Sequence, residues 1–188
     1  NRYPIVTEKI NEYLESHRKD LDGIYISGGE PLMHEGVVSF LQYAKTLNYK
    51  IKIHTNGMFY ERLKTILAQK LVDHVSLDIK NAPSAYAKTC GVEDMNLKDI
   101  EKSLDLLKQS AVPYDICVTL VDELHNQATI EELGQWIQGV DTVILQPFED
   151  SETTIDHSLH RPSFETVLKY KKIFEKYVKH VKIRGDQA

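Results

Sequence analysis

Gly23-Ile24-Tyr25-Ile26-Ser27-Gly28-Gly29-Glu30-Pro31 decides how the rest of the chain is read. A short β-branched run stops at two glycines, a carboxylate and a proline, the pattern of a strand ending in a turn. The pattern returns downstream. Lys50 to His54 runs into Thr55-Asn56-Gly57, and Asp73 to Lys80 ends in Asp78-Ile79-Lys80. Tyr114 to Val121, Thr142 to Gln146 (closed by Pro147) and Val181-Lys182-Ile183 complete six strands. Between them the apolar residues take helical spacing: Val37, Leu41 and Ala44; Leu63, Ile66 and Leu67; Ile100, Leu104 and Leu107; Leu133, Trp136 and Ile137; Phe164, Val167, Leu168 and Phe174. Val6, Ile10, Leu14 and His17 predict a further helix after Pro4, and Thr129-Ile130-Glu131-Glu132 matches a capping box. The stretch holding Pro83, Tyr86 and Gly91 reads as loose, and Glu149 to Pro162 as a surface loop.

Strands alternating with helices call for crossover connections and a parallel sheet. Period two then sorts the strand residues. Ile24 and Ile26, Ile51 and Ile53, Leu77 and Ile79, Ile116 and Val118, and Val143 and Leu145 share one face. Ser27, His54, Asp78 with Lys80, Asp115, Cys117 with Thr119, and Gln146 share the other. A doubly wound sheet meets helices on both faces and needs both apolar. A polar face recurring at strand carboxyl ends suits a barrel lumen and its rim. The expected fold is α/β, a partial (β/α) TIM-like barrel of parallel strands forming one domain over residues 1–188.

Composition removes other classes. The 188 residues are 41% hydrophobic and 27% charged, which excludes a collagen-like, a mostly disordered or a disulfide-stapled chain. No run of about 18 apolar residues occurs to span a membrane. The net charge of −5 argues against a nucleic-acid-binding surface. Two cysteines, Cys90 and Cys117, stand in no CxxC spacing, so no local motif supplies a cysteine-held zinc or iron–sulfur site. A reducing, cytoplasmic setting fits that usage.

The chemistry-bearing residues sit where strands end. Gly28 and Gly29 let backbone approach a ligand with no Cβ between, and the Glu30 carboxylate can accept from an ammonium group. Alone, the same residues make an ordinary βα turn. Asp78 and Lys80 point the same way, as a ligand-binding pair or as an internal salt bridge. His54-Thr55-Asn56-Gly57 is by itself a turn. Their joint occurrence on successive strands is what a site at a barrel mouth requires.

In this order, Gly28-Gly29-Glu30-Pro31, Thr55-Asn56-Gly57, Asp78-Ile79-Lys80, a Tyr114-Asp115 strand carrying Thr119, Leu145-Gln146-Pro147-Phe148 and Lys182-Ile183-Arg184-Gly185 resemble the radical S-adenosylmethionine (radical SAM) superfamily. Within it they are similar to the glycyl-radical activating enzymes, especially those serving anaerobic ribonucleoside-triphosphate reductase. The resemblance implies S-adenosylmethionine as cofactor. Gly28, Gly29 and Glu30 would hold its methionine ammonium, Lys80 its carboxylate, and His54, Thr55, Asn56 and Asp78 would line the same rim. Apolar residues around Leu145 to Phe148 would cover the adenine. It also implies a 4Fe–4S cluster, a glycyl-radical partner enzyme, and an electron donor such as flavodoxin or ferredoxin.

The departures are equally specific. The family's cluster is held by a CxxxCxxC loop after its first strand, and this sequence contains no such loop. The resemblance therefore places the first strand and that loop upstream of Asn1 and leaves this chain alone inactive, with no catalytic or metal-ligating residue of its own. Cys117 stands where the subgroup has an arginine, and His54 where the family has an aspartate before Thr-Asn-Gly. The alternatives are a different radical SAM reaction, on a nucleoside or a peptide, and a non-catalytic ligand-binding or scaffold barrel. His157 and His160 read as loop residues rather than metal ligands, and His34 and His125 as surface residues.

Overall fold

The computed structural model describes residues 7–152, 154 and 156–185. The chain runs α1 (Thr7–Ser16), β1 (Gly23–Ile26), a 3-10 turn (Pro31–Met33), α2 (Val37–Thr46), β2 (Lys50–Thr55), α3 (Tyr60–Ala68), β3 (His74–Asp78), α4 (Pro83–Thr89), α5 (Lys98–Gln109), β4 (Tyr114–Leu120), α6 (Gln127–Trp136), β5 (Thr142–Pro147), α7 (Phe164–Phe174) and β6 (His180–Ile183). All six strands are parallel, and their spatial order is their sequence order. A doubly wound sheet reverses strand order at its midpoint. An order that never reverses winds one way and leaves one sheet face to the helices. The sheet is open, with β1 and β6 at its edges, so the expected partial barrel is what forms.

The period-two reading predicts which face packs. Ile51, Ile53, Leu77, Ile79, Ile116, Val118, Val143 and Leu145 are all buried and join Leu41, Leu63, Ile66, Leu104, Leu133 and Phe174 in one core between sheet and helices. The opposite face stays open at the sheet's edge, where Tyr25 is 53% exposed. Its charged residues are bonded across strands. Asp115 of β4 accepts from Ser76 at 2.5 Å, from His74 at 2.6 Å and from Lys52 at 3.1 Å. Burial opposes ionisation of Asp115, but these donors outweigh it and hold its carboxyl below the usual carboxylate value.

Several local expectations change. Pro83–Thr89, read as loose, is helix α4. Proline fits the first turn of a helix, but so short a helix burying mainly Tyr86 shows no apolar periodicity. The capping box of α6 lies three residues before the match seen in sequence. Asn126 is the N-cap and exchanges bonds with Thr129, while Glu132 instead accepts from the Ser84 amide and hydroxyl at the start of α4. His125 is not a surface residue; it is buried at 3% exposure. Leu145 lies in the core, so of the segment expected to cover adenine only Gln146 and Phe148 keep partial exposure. Pro4 and Val6, read as the lead into α1, lie outside the described residues.

Candidate functional site

The carboxyl ends of β1, β2 and β3 meet around a cavity of about 390 Å3, lined by Ser27, Gly28, Gly29, His54, Thr55, Asn56, Asp78 and Lys80. Seven of the eight residues singled out from sequence are on that wall. Parallel strands in register bring them together: Ile26 sits beside Ile53, His54 beside Ser76, and Asp78 beside Cys117. Polar residues at one strand end therefore become neighbours at one rim.

Glu30, the eighth, is buried beneath the loops. Its Oε1 accepts from the Leu32 amide at 3.0 Å and the Thr55 hydroxyl at 2.8 Å, and its Oε2 from the Asn56 amide at 2.7 Å. Charge-assisted bonds of this kind are roughly twice as strong as neutral ones. Glu30 thus clasps the loop after β1 to the loop after β2. Gly28 and Gly29 adopt φ of 90° and 52°, and a Cβ on either would meet no atom of the described residues within 4 Å. Their backbone borders open space.

The third wall is ionic. Lys80 donates from Nζ to Asp78 Oδ2, the internal salt bridge that the sequence left open as an alternative. Asp78 Oδ1 is buried and has no hydrogen-bond partner among the described residues. An acceptor so placed costs about 1–3 kcal/mol, and at a cavity wall it suits a donor brought by a ligand. His54 Nε2 lies 3.9 Å from Asp78 Oδ2, and His54 Nδ1 lies 2.8 Å from the Tyr25 hydroxyl. Burial, first among its influences, holds His54 below the usual histidine value; Asp78 and Asp115 pull the other way, while Lys80 and Arg184 add to the lowering. The net effect favours the neutral imidazole.

Two supports were not singled out from sequence. Tyr25 shares the alternation that puts Ser27 on the rim, a signal available but unused. His125 had no local signal. The Val121 amide donates to its Nδ1 at 3.1 Å, and its Nε2 lies 3.0 Å from the Lys80 carbonyl. The loop after β4 thereby fixes the backbone that carries Lys80, and burial lowers the His125 pKa despite the nearby Lys80 and Val121 carbonyls, which pull it up.

A second cavity of about 750 Å3, bordered by Ile10, Val37, Phe40 and Tyr43, shares Ser27 and Gly28 with the first. Cys90 caps the C-terminus of α4, and Cys117 is buried on the lumen side of β4, where burial and then Asp78 push its thiol up to about 11. Among the described residues no three His, Cys, Asp or Glu side chains group to hold a metal. His157 is bonded to Asp150 and His160 to Glu123. No helix among the described residues is long and apolar enough to cross a membrane.

Residues 1–137 match the radical SAM superfamily. The chain belongs to that superfamily. A protein of Methanocaldococcus jannaschii, named as a glycyl-radical enzyme activating enzyme, is 30% identical over 169 residues, which are 87% of this chain and 70% of the relative. The fold also matches a domain of pyruvate-formate lyase-activating enzyme from Bacteroides vulgatus, with a TM-score of 0.67 at 18% identity over 87% of this chain and 99% of that one. SuiB of Streptococcus suis, solved bound to S-adenosylmethionine, gives a TM-score of 0.75 at 13% identity, covering 100% of this chain and 45% of that chain.

The superfamily implies two groups, and the residues present fit one. The open Gly28–Gly29 backbone, the unpartnered Asp78 oxygen and the Lys80 cation suit the ammonium, hydroxyl and carboxylate groups of S-adenosylmethionine. A four-iron cluster held by three cysteines has no counterpart, since Cys90 and Cys117 are the only cysteines and stand on different elements.

Proposed function

We propose that this chain carries the S-adenosylmethionine-binding half of a radical SAM activating site whose target is a glycyl-radical enzyme, the anaerobic ribonucleoside-triphosphate reductase. The observation that carries this reading is the single cavity built from Gly28–Gly29, His54–Asn56 and Asp78–Lys80 at three successive strand ends. The relative named for glycyl-radical activation supports the enzyme class, and the order of motifs through Lys182-Ile183-Arg184-Gly185 supports the choice of target.

In such enzymes bound S-adenosylmethionine is the source of a hydrogen-abstracting radical. The residues of this chain set where it lies. Gly28 and Gly29 present backbone to the ammonium, with Glu30 holding their loop in place from below. Lys80 shares its charge between Asp78 and the methionine carboxylate. His54, Thr55, Asn56 and Asp78 offer donors and acceptors to the remaining polar groups. The cluster's ligands are not among these residues, so the chain by itself installs no glycyl radical.

Calorimetry tests the binding half. S-adenosylmethionine should bind, and Lys80→Ala should weaken it about tenfold, the loss of one charge-assisted contact; no binding overturns the reading. Iron and sulfide analysis after anaerobic reconstitution tests the inactivity, which one stoichiometric four-iron cluster on this chain would refute. Binding measured against the reductase and against an unrelated glycyl-radical enzyme tests the target. Equal affinity for both would remove that assignment.

A further inference from the structure

Tyr25 stands outside the cavity wall, yet its hydroxyl is 2.8 Å from His54 Nδ1, the ring nitrogen that faces away from Asp78. His54 Nε2, on the other side of the ring, is 3.9 Å from Asp78 Oδ2, beyond hydrogen-bond distance. A neutral imidazole carries its proton on one nitrogen only, and the bond made by the other selects which. A phenol O–H is a good donor to an imidazole lone pair, and its oxygen is a poor acceptor. The Nε2–H form also aims its N–H at a carboxylate, whereas the Nδ1–H form would aim a lone pair at it. Both ends of the ring favour the same tautomer.

The phenol is itself held. Lys52 Nζ lies 5.9 Å from the centre of the Tyr25 ring and is bonded to Asp115, which also takes His74 and Ser76. Four charged groups act on His54: Asp78 and Lys80 at the end of β3, the adjoining strand, and, further along the sheet, Asp115 on β4 and Arg184 after β6. Arg184 donates to Gln146 at 2.6 Å.

We propose that Tyr25 is a positioning residue that holds His54 as the Nε2–H tautomer, so that His54 and Asp78 present one donor and one acceptor to a single hydroxyl of the bound ligand. The spacing fits. An oxygen placed about 2.8 Å from both His54 Nε2 and Asp78 Oδ2, whose remaining lone pair is left beside the Lys80 bond, subtends roughly a right angle at hydrogen-bond distance from each. The identity of the ligand rests on the S-adenosylmethionine reading; the tautomer does not.

The test therefore begins without ligand. Nitrogen-15 correlation spectra of His54 at neutral pH should show the Nε2–H pattern in the intact chain and a tautomer mixture in Tyr25→Phe. An Nδ1–H pattern, or a pattern unchanged by Tyr25→Phe, overturns the proposal. Calorimetry with S-adenosylmethionine follows. Tyr25→Phe should weaken binding about three- to tenfold, the range of one neutral hydrogen bond. His54→Gln keeps an N–H donor and has no tautomer to choose, so adding Tyr25→Phe to it should cost nothing further. An equal loss in both backgrounds means that Tyr25 acts by packing alone and refutes the proposal. If the unaltered chain binds no S-adenosylmethionine, the functional reading and the bridged hydroxyl fall together, while the spectra still decide the tautomer.

Discussion

The Asn56 amide donates to Glu30 Oε2 at 2.7 Å, which ties the loop after β2 to the loop after β1. With the Leu32 amide and the Thr55 hydroxyl on Oε1, one carboxylate satisfies three donors from two loops. Glu30→Ala leaves the buried ones unpaired and should destabilise the fold by about 3 kcal/mol, read as a lower urea midpoint with unchanged slope. A midpoint that does not move would return Glu30 to the role of a ligand contact only.

Gly57 follows that clasp at φ +77°, a conformation that favours glycine. A Cβ there would sit 2.7 Å from Leu77 Cδ1, and its carbonyl accepts from the buried Ser103 hydroxyl at 2.7 Å. Gly57→Ala combines backbone strain with a core clash. Thermal unfolding should show a loss of about 2–4 kcal/mol.

Acid should weaken the fold through two histidines. Burial holds the pKa of both His54 and His125 below the ordinary value of 6.5, so the folded chain keeps them neutral where the unfolded chain protonates. Their contribution is fully present above about pH 6.5 and is lost as pH falls through their lowered folded values. For buried His125 the slope reaches at most about 1.4 kcal/mol per pH unit. Denaturant midpoints from pH 8 to pH 5 check this, and His125→Ala should flatten the curve while costing about 2 kcal/mol at pH 7 from the bonds lost at Val121 and Lys80.

The two thiols should separate by reactivity. Cys117 is 2% exposed with its thiol pushed up to about 11, whereas Cys90 is exposed at the end of α4. A thiol reagent at pH 8 should label Cys90 first and Cys117 only on unfolding. Rapid double labelling of the native chain would contradict the lumen placement of Cys117.

Much of this was legible along the chain because β-strands alternate sides residue by residue. Ile51/Ile53 against His54, and Leu77/Ile79 against Asp78, announce a packed face and a polar face in the sequence itself. Helix α4 was hidden because it buries mainly Tyr86, and the α6 cap was misplaced because Asn126-x-x-Thr129 and Thr129-x-x-Glu132 compete for the same reading.

From the residues alone came the parallel α/β order, the apolar face, and the strand-end residues Gly28, Gly29, His54, Thr55, Asn56, Asp78 and Lys80, because local periodicity and turn chemistry write themselves into sequence. What Glu30 bonds, that His125 lies under Lys80, and that Tyr25 meets His54 were decided only by tertiary structure. Those partners stand 25, 45 and 29 residues apart, and only the register of neighbouring strands and the packing of their loops brings such residues within hydrogen-bonding distance.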